Sequence, residues 1–155
     1  MTRTSSTTAH NPIRVAGRSR LAIVGITALE ALAWWAMLAQ VFGITLEAKQ
    51  GSVVRIGAVS VFVASVAMAF AGWGLLALLE RRTLAARETW TSVALIACIL
   101  SLGGPLTSGI GIGAKLGLAS LHLLVGSVVI LGLRRTALSA ADRRRPAFWG
   151  RRADR

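Results

Sequence analysis

The chain has no tyrosine, one cysteine (Cys98), three prolines and only six acidic residues in 155. A lone cysteine excludes a disulfide scaffold, and because Cys98 falls inside an apolar stretch it carries no information on redox compartment. Charged residues make up 15% of the sequence, where an ordinary soluble domain carries about 25%, so most soluble globular folds are excluded. An apolar content of 54% likewise excludes a disordered chain. The shortage of acids leaves a net charge of +12. In a soluble protein that surplus points to nucleic acid. Here the basic residues are segregated from the apolar ones, which points to a membrane and leaves no expectation of a nucleic-acid partner.

What the sequence has in abundance is long apolar runs, and its mean hydropathy is +0.64. A helix rises 1.5 Å per residue, so the ~30 Å hydrocarbon core takes about 20 apolar residues to cross. Four stretches qualify: 21–44, with Glu30 as its one ionisable group; 56–79, with none; 89–105, at the short limit; and 116–133, with His122 alone. The runs are continuous rather than alternating, which favours helices over a β-barrel. The expected fold is all-α, a bundle of four transmembrane helices over 21–133, with a flexible N-tail (1–20) and a basic C-tail (134–155). Ala31-Leu32-Ala33 looks like a signal-peptide cleavage site, but apolar sequence continues to Ile44, past the core of a typical signal peptide. The segment therefore reads as a span.

Basic residues between the spans set the orientation. The N-tail, the connection at 80–88 and the C-tail together hold fifteen, and the other side holds Lys49, Arg55 and Lys115. By the positive-inside rule both termini are cytoplasmic. Arginine far outnumbers lysine, and alanine and glycine are frequent, as expected of a high-GC bacterial genome, so the expected address is a bacterial plasma membrane.

The second span carries small residues at Gly57, Ser60, Ala64, Ala67, Ala71 and Gly74. These form one stripe at helical steps, read as a packing face at the bundle centre or a homodimer seam, although alanine-rich spans also give such stripes by chance. Trp73 and Trp90 fall near span ends, as interfacial anchors do. Trp34 and Trp35 lie deeper, where they line a cavity or fill the core. Gly103-Gly104-Pro105, followed by Gly109, Gly111 and Gly113, reads as the end of the third span and a flexible outer loop; an interrupted helix lining a transport site is the alternative. Arg81-Arg82-Thr83 and Arg134-Arg135-Thr136 read as one stop signal used twice.

Ionisable groups inside a membrane are costly and usually face the bundle interior or a wet cavity. Glu30 lies ~14 Å along the first span, and His122 ~10 Å in from the opposite end of the fourth, so their depths differ by roughly 6 Å. Thr27, Glu30 and Trp34 are spaced to share one face, and Ala119, His122 and Gly126 another. Glu30 and His122 are the candidate catalytic pair, and Thr27, Trp34, Trp35 and Gly126 the candidate cavity or packing residues around them. The pair is either a structural clasp between first and fourth spans or a proton-exchanging couple. One Glu and one His are too few for a metal site, so no metal and no cofactor is expected. In the C-tail, Arg143, Arg144, Arg145, Phe148, Trp149, Arg151 and Arg152 alternate basic and aromatic groups, as segments that lie on anionic lipid headgroups do. The alternative there is a disordered tail that only satisfies the charge rule.

The last span and its exit, His122-Leu-Leu-Val-Gly126 through Gly132-Leu-Arg-Arg-Thr136, together with the four-span layout, resemble a family of uncharacterised four-helix membrane proteins of high-GC bacteria. The resemblance covers most of residues 20–140 and implies no known activity. In architecture alone the chain is also similar to the small multidrug transporters, four-helix proteins with a glutamate in the first span; their motifs are absent and their loops are more evenly charged. Three functions follow. The first is a small membrane protein acting by interaction or assembly, as a homodimer or in a larger complex. The second is a proton-coupled transporter using Glu30, and the third an acid/base enzyme acting on a lipophilic substrate through Glu30 and His122.

Overall fold

The structure is a computed structural model that describes residues 12–137. The aromatic and basic C-tail positions Arg143, Arg144, Arg145, Phe148, Trp149, Arg151 and Arg152 lie outside the described residues, as does the first half of the N-tail.

Helix α1 spans Pro12–Ala36 and runs on through a π-helical turn, Met37–Val41. Proline suits a helix start because the first N–H groups have no intrahelical acceptor anyway. The helix thus takes in residues 12–20, read from sequence as flexible tail. A β-hairpin follows, with β1 at Glu47–Gln50 antiparallel to β2 at Ser52–Arg55 and Glu47 opposite Arg55. Helix α2 spans Ala58–Arg82, α3 Ala86–Ser101, α4 Gly103–Ser108 and α5 Gly111–Thr136. α2 and α5 each carry two arginines in the last turn, where cations complement the partial negative charge of a helix C-terminus. Four helical stretches are long and apolar enough to cross a membrane: Gly17–Val41, Ala58–Arg82, Ala86–Ser108 and Gly111–Thr136. The protein is a multi-pass four-helix bundle. One end of it carries Arg20, Thr83 and Thr136, here called the terminal end; the other carries the hairpin.

Gly-Gly-Pro does not end the third span, contrary to the sequence reading. The chain breaks at Leu102 and resumes as α4, so the span covers the 23 residues Ala86–Ser108. Pro105 is tolerated because it lies in the first turn of the new segment, whose N–H groups need no acceptor within it. Nor do the glycines after it form a free loop. Gly109 pairs with Ala48 of the hairpin, and the Ile110 N–H donates to the Glu47 carbonyl.

Two apolar clusters fill the bundle. Toward the terminal end, Val24, Leu76, Trp90, Val129 and Leu133 pack together; toward the hairpin, Ala31, Leu38, Leu46, Val61 and Leu118 do. α5 is the helix that touches all the others. Two of its glycines permit the approach. A Cβ on Gly132 would lie 2.9 Å from Ile23 of α1, and one on Gly126 would lie 2.6 Å from Cys98 Sγ of α3. The small-residue stripe of α2 does not occupy the bundle centre. Ser60, Ala64, Ala67, Ala71 and Gly74 are exposed, while α2 turns Val61, Ser65, Ala69 and Leu76 inward.

Candidate functional site

The terminal end is closed by a buried ion pair. Arg20 Nη2 donates to Glu80 Oε1 at 2.6 Å, with side-chain exposures of 7% and 10%. The same guanidinium donates to the Thr136 carbonyl at 3.2 Å and to Thr136 Oγ1 at 3.3 Å. One side chain thus joins α1, α2 and the C-terminus of α5, where it also caps a carbonyl that the helix leaves unpaired. Arg87 Nε adds a bond from α3 to the Arg134 carbonyl. By sequence Arg20 counted only as a topological charge. The signal for a different role was Glu80, an acid standing directly before two arginines at a span end.

Toward the hairpin, indoles replace ions. Trp34 Nε1 donates to Ser120 Oγ of α5 at 2.8 Å, and Trp35 Nε1 donates to the Ile56 carbonyl at 3.0 Å. Both rings pack on the cluster around Ala31 and Leu121. Thr27 is buried, its hydroxyl turned back onto the Ile23 carbonyl.

Glu30 and His122 do not come together. Glu30 is exposed on the outer side of α1, beside Ile26, Ala33 and Met37. Three residues along a helix is a rotation of 300°, so Glu30 stands about 60° around from Thr27, enough to leave the buried face. His122 follows Ser120 by two residues, so the two side chains diverge by about 200°. Ser120 meets α1; His122 therefore points to the other side of α5. There its Nδ1 lies 2.9 Å from the Leu118 carbonyl. A carbonyl only accepts, so Nδ1 carries a proton, and in the neutral tautomer the lone pair is at Nε2.

That other side of α5 borders a cavity of about 500 Å³ between α2, α3 and α5. It runs from Leu75 and Trp90 near the terminal end to Ile56 by the hairpin, and His122, Gly126 and Cys98 line its middle. Ser60, Ala64 and Ala71 of the small-residue stripe form part of its wall, so the stripe borders a space instead of a helix. Among the described residues no three His, Cys, Asp or Glu side chains gather as metal ligands would.

No curated protein and no solved structure is significantly similar to this chain. One family model does match, over residues 12–139, which takes in every described helix and both ends of the clasp. The chain belongs to the Family of unknown function (DUF6069).

Proposed function

We propose that this protein is a small membrane subunit that docks on another membrane protein through the outer face of α1, centred on Glu30. The observation that carries the reading is the exposure of Glu30 near the middle of the span Gly17–Val41, with no hydrogen bond or ion pair to any described residue. An ionisable residue at the centre of a membrane helix costs about 2.5–3.5 kcal/mol on insertion scales, and such residues almost always find a polar neighbour. The occupant that fits is a transmembrane helix presenting a hydrogen-bond donor. Ala33 beside Glu30 permits close approach, and Ile26 and Met37 supply apolar contact. A transporter reading fits less well, because Glu30 faces away from the bundle and the nearby indoles are already committed to Ser120 and Ile56. An acid/base pair of Glu30 and His122 is disfavoured by their positions on opposite sides of the α1–α5 contact.

The distribution of basic residues supports a plasma-membrane address with cytoplasmic termini and the hairpin outside. The basic C-tail adds attraction to anionic headgroups on that cytoplasmic side.

The experiment places a photoreactive residue at Ala33 or Ile26 in native membranes. Both should crosslink to the same neighbouring helix, while one at Val59 on the outer side of α2 should not. Glu30→Leu should abolish the crosslink and shift the protein to a smaller native size; Glu30→Gln, which keeps an acceptor, should retain part of it. Crosslinks solely between copies of this chain would make the partner a second copy. Crosslinks to lipid alone, with native size unchanged by Glu30→Leu, would overturn the reading.

A further inference from the structure

We propose that the cavity between α2, α3 and α5 binds an uncharged lipophilic molecule bearing a hydroxyl group, which enters sideways from the bilayer between α2 and α3. This site is separate from the Glu30 face and does not depend on it.

The cavity has the size and lining of a small-molecule site. Its volume, about 500 Å³, lies within the range typical of ligand pockets, and its walls are mostly Val, Leu, Ile and Ala. Its mouth faces lipid: Ser60, Ala64 and Met68 of α2 and Ala97 of α3 line it and are also exposed on the bundle surface. A molecule dissolved in the bilayer therefore needs no aqueous route to reach it.

The polar atoms in the walls define what fits. Among the described residues no charged side chain lines the cavity, so a carboxylate, a phosphate headgroup or an organic cation would enter without a counter-ion, at a cost of several kcal/mol. Ser65 and Ser101 spend their hydroxyl protons on the Phe62 and Cys98 carbonyls of their own helices. His122 spends its Nδ1 proton on Leu118, and the neutral tautomer with that proton has a lone pair at Nε2. These three groups can accept from a ligand but have no proton left to give. Trp90 also lines the cavity, but its Nε1–H is enclosed by protein atoms and does not open onto it. A hydroxyl group has a proton to donate, so it suits a cavity whose walls offer lone pairs at Ser65, Ser101 and His122. An alkane can satisfy none of them.

Three diazirine-bearing probes of equal chain length decide the matter: hexadecanol, hexadecanoic acid and hexadecane, photolysed with the full-length protein in lipid nanodiscs. The alcohol should label the α3 and α5 segments around Cys98 and His122, roughly 3- to 10-fold more than the acid or the alkane, as expected for one net hydrogen bond. His122→Leu should reduce alcohol labelling to the level of the alkane. Ala97→Phe, at the exposed mouth and outside the buried clusters, should reduce labelling by all three. Glu30→Leu should change nothing, which keeps this result independent of the docking reading. Equal labelling by the three probes, preference for the acid, or indifference to Ala97→Phe would overturn the proposal.

Discussion

The two ends of the bundle are held together by different means. At the terminal end a single guanidinium, with 7% of its side chain exposed, binds three helices through Glu80 and Thr136. Toward the hairpin two indole N–H groups do the joining, each with one neutral acceptor. The cavity opens along the side of the bundle that neither set of bonds spans, between α2 and α3. Charge-assisted bonds with several partners are strong, and breaking one strands a buried ion; neutral bonds in a membrane average far less. The contrast teaches that charge-assisted bonds pin one end of the bundle while neutral bonds join the other.

Which end faces which compartment is an all-or-none matter. In a Cys98→Ala background we expect an impermeant thiol reagent to label Ser52→Cys in the hairpin of intact cells, and Ala85→Cys only after permeabilisation. The reverse pattern would invert the orientation and move the ion clasp to the outside.

The next largest effect concerns the clasp itself. Arg20→Met or Glu80→Leu alone should destabilise the bundle by about 3–5 kcal/mol, because each removes one member of a buried ion pair. The double variant should recover most of that loss, measured by unfolding in mixed micelles titrated with SDS. Additive losses would mean that the two ends differ less than the geometry implies.

A smaller effect is expected where α3 meets α5. Gly126→Val should cost about 1–3 kcal/mol, since the new side chain must displace Cys98 Sγ, and Cys98→Ala should relieve part of the strain. Smallest of all, Trp34→Phe should cost only about 0.6 kcal/mol, the average for a hydrogen bond between membrane helices. A loss as large as that of the Arg20 variants would show the hairpin end to be pinned just as firmly.

The four spans were legible because length against the bilayer and continuous apolarity need no knowledge of neighbours. The Glu47–Gln50 and Ser52–Arg55 hairpin was not, since its strands are four residues each, too short for alternation to show. The third span looked too short because Gly103-Gly104-Pro105 reads locally as a stop. Only the tertiary position of Gly109 against Ala48 and Lys115 reveals a chain that restarts its helix and docks on the hairpin.

By itself the sequence determined the number of spans, the segregation of basic residues and the presence of two ionisable groups at membrane depth. These follow from solvation, which acts on each segment alone. The tertiary structure decided which side of each helix is inner. It sent Glu30 outward and His122 to the far side of α5, exposed the small-residue stripe of α2, and joined Arg20 to Glu80 across sixty positions of sequence. The physical reason is rotational. Depth is set by rise along a helix and is counted easily, but facing is set by which neighbour packs against it, and 60° of turn separates the buried Thr27 from the exposed Glu30.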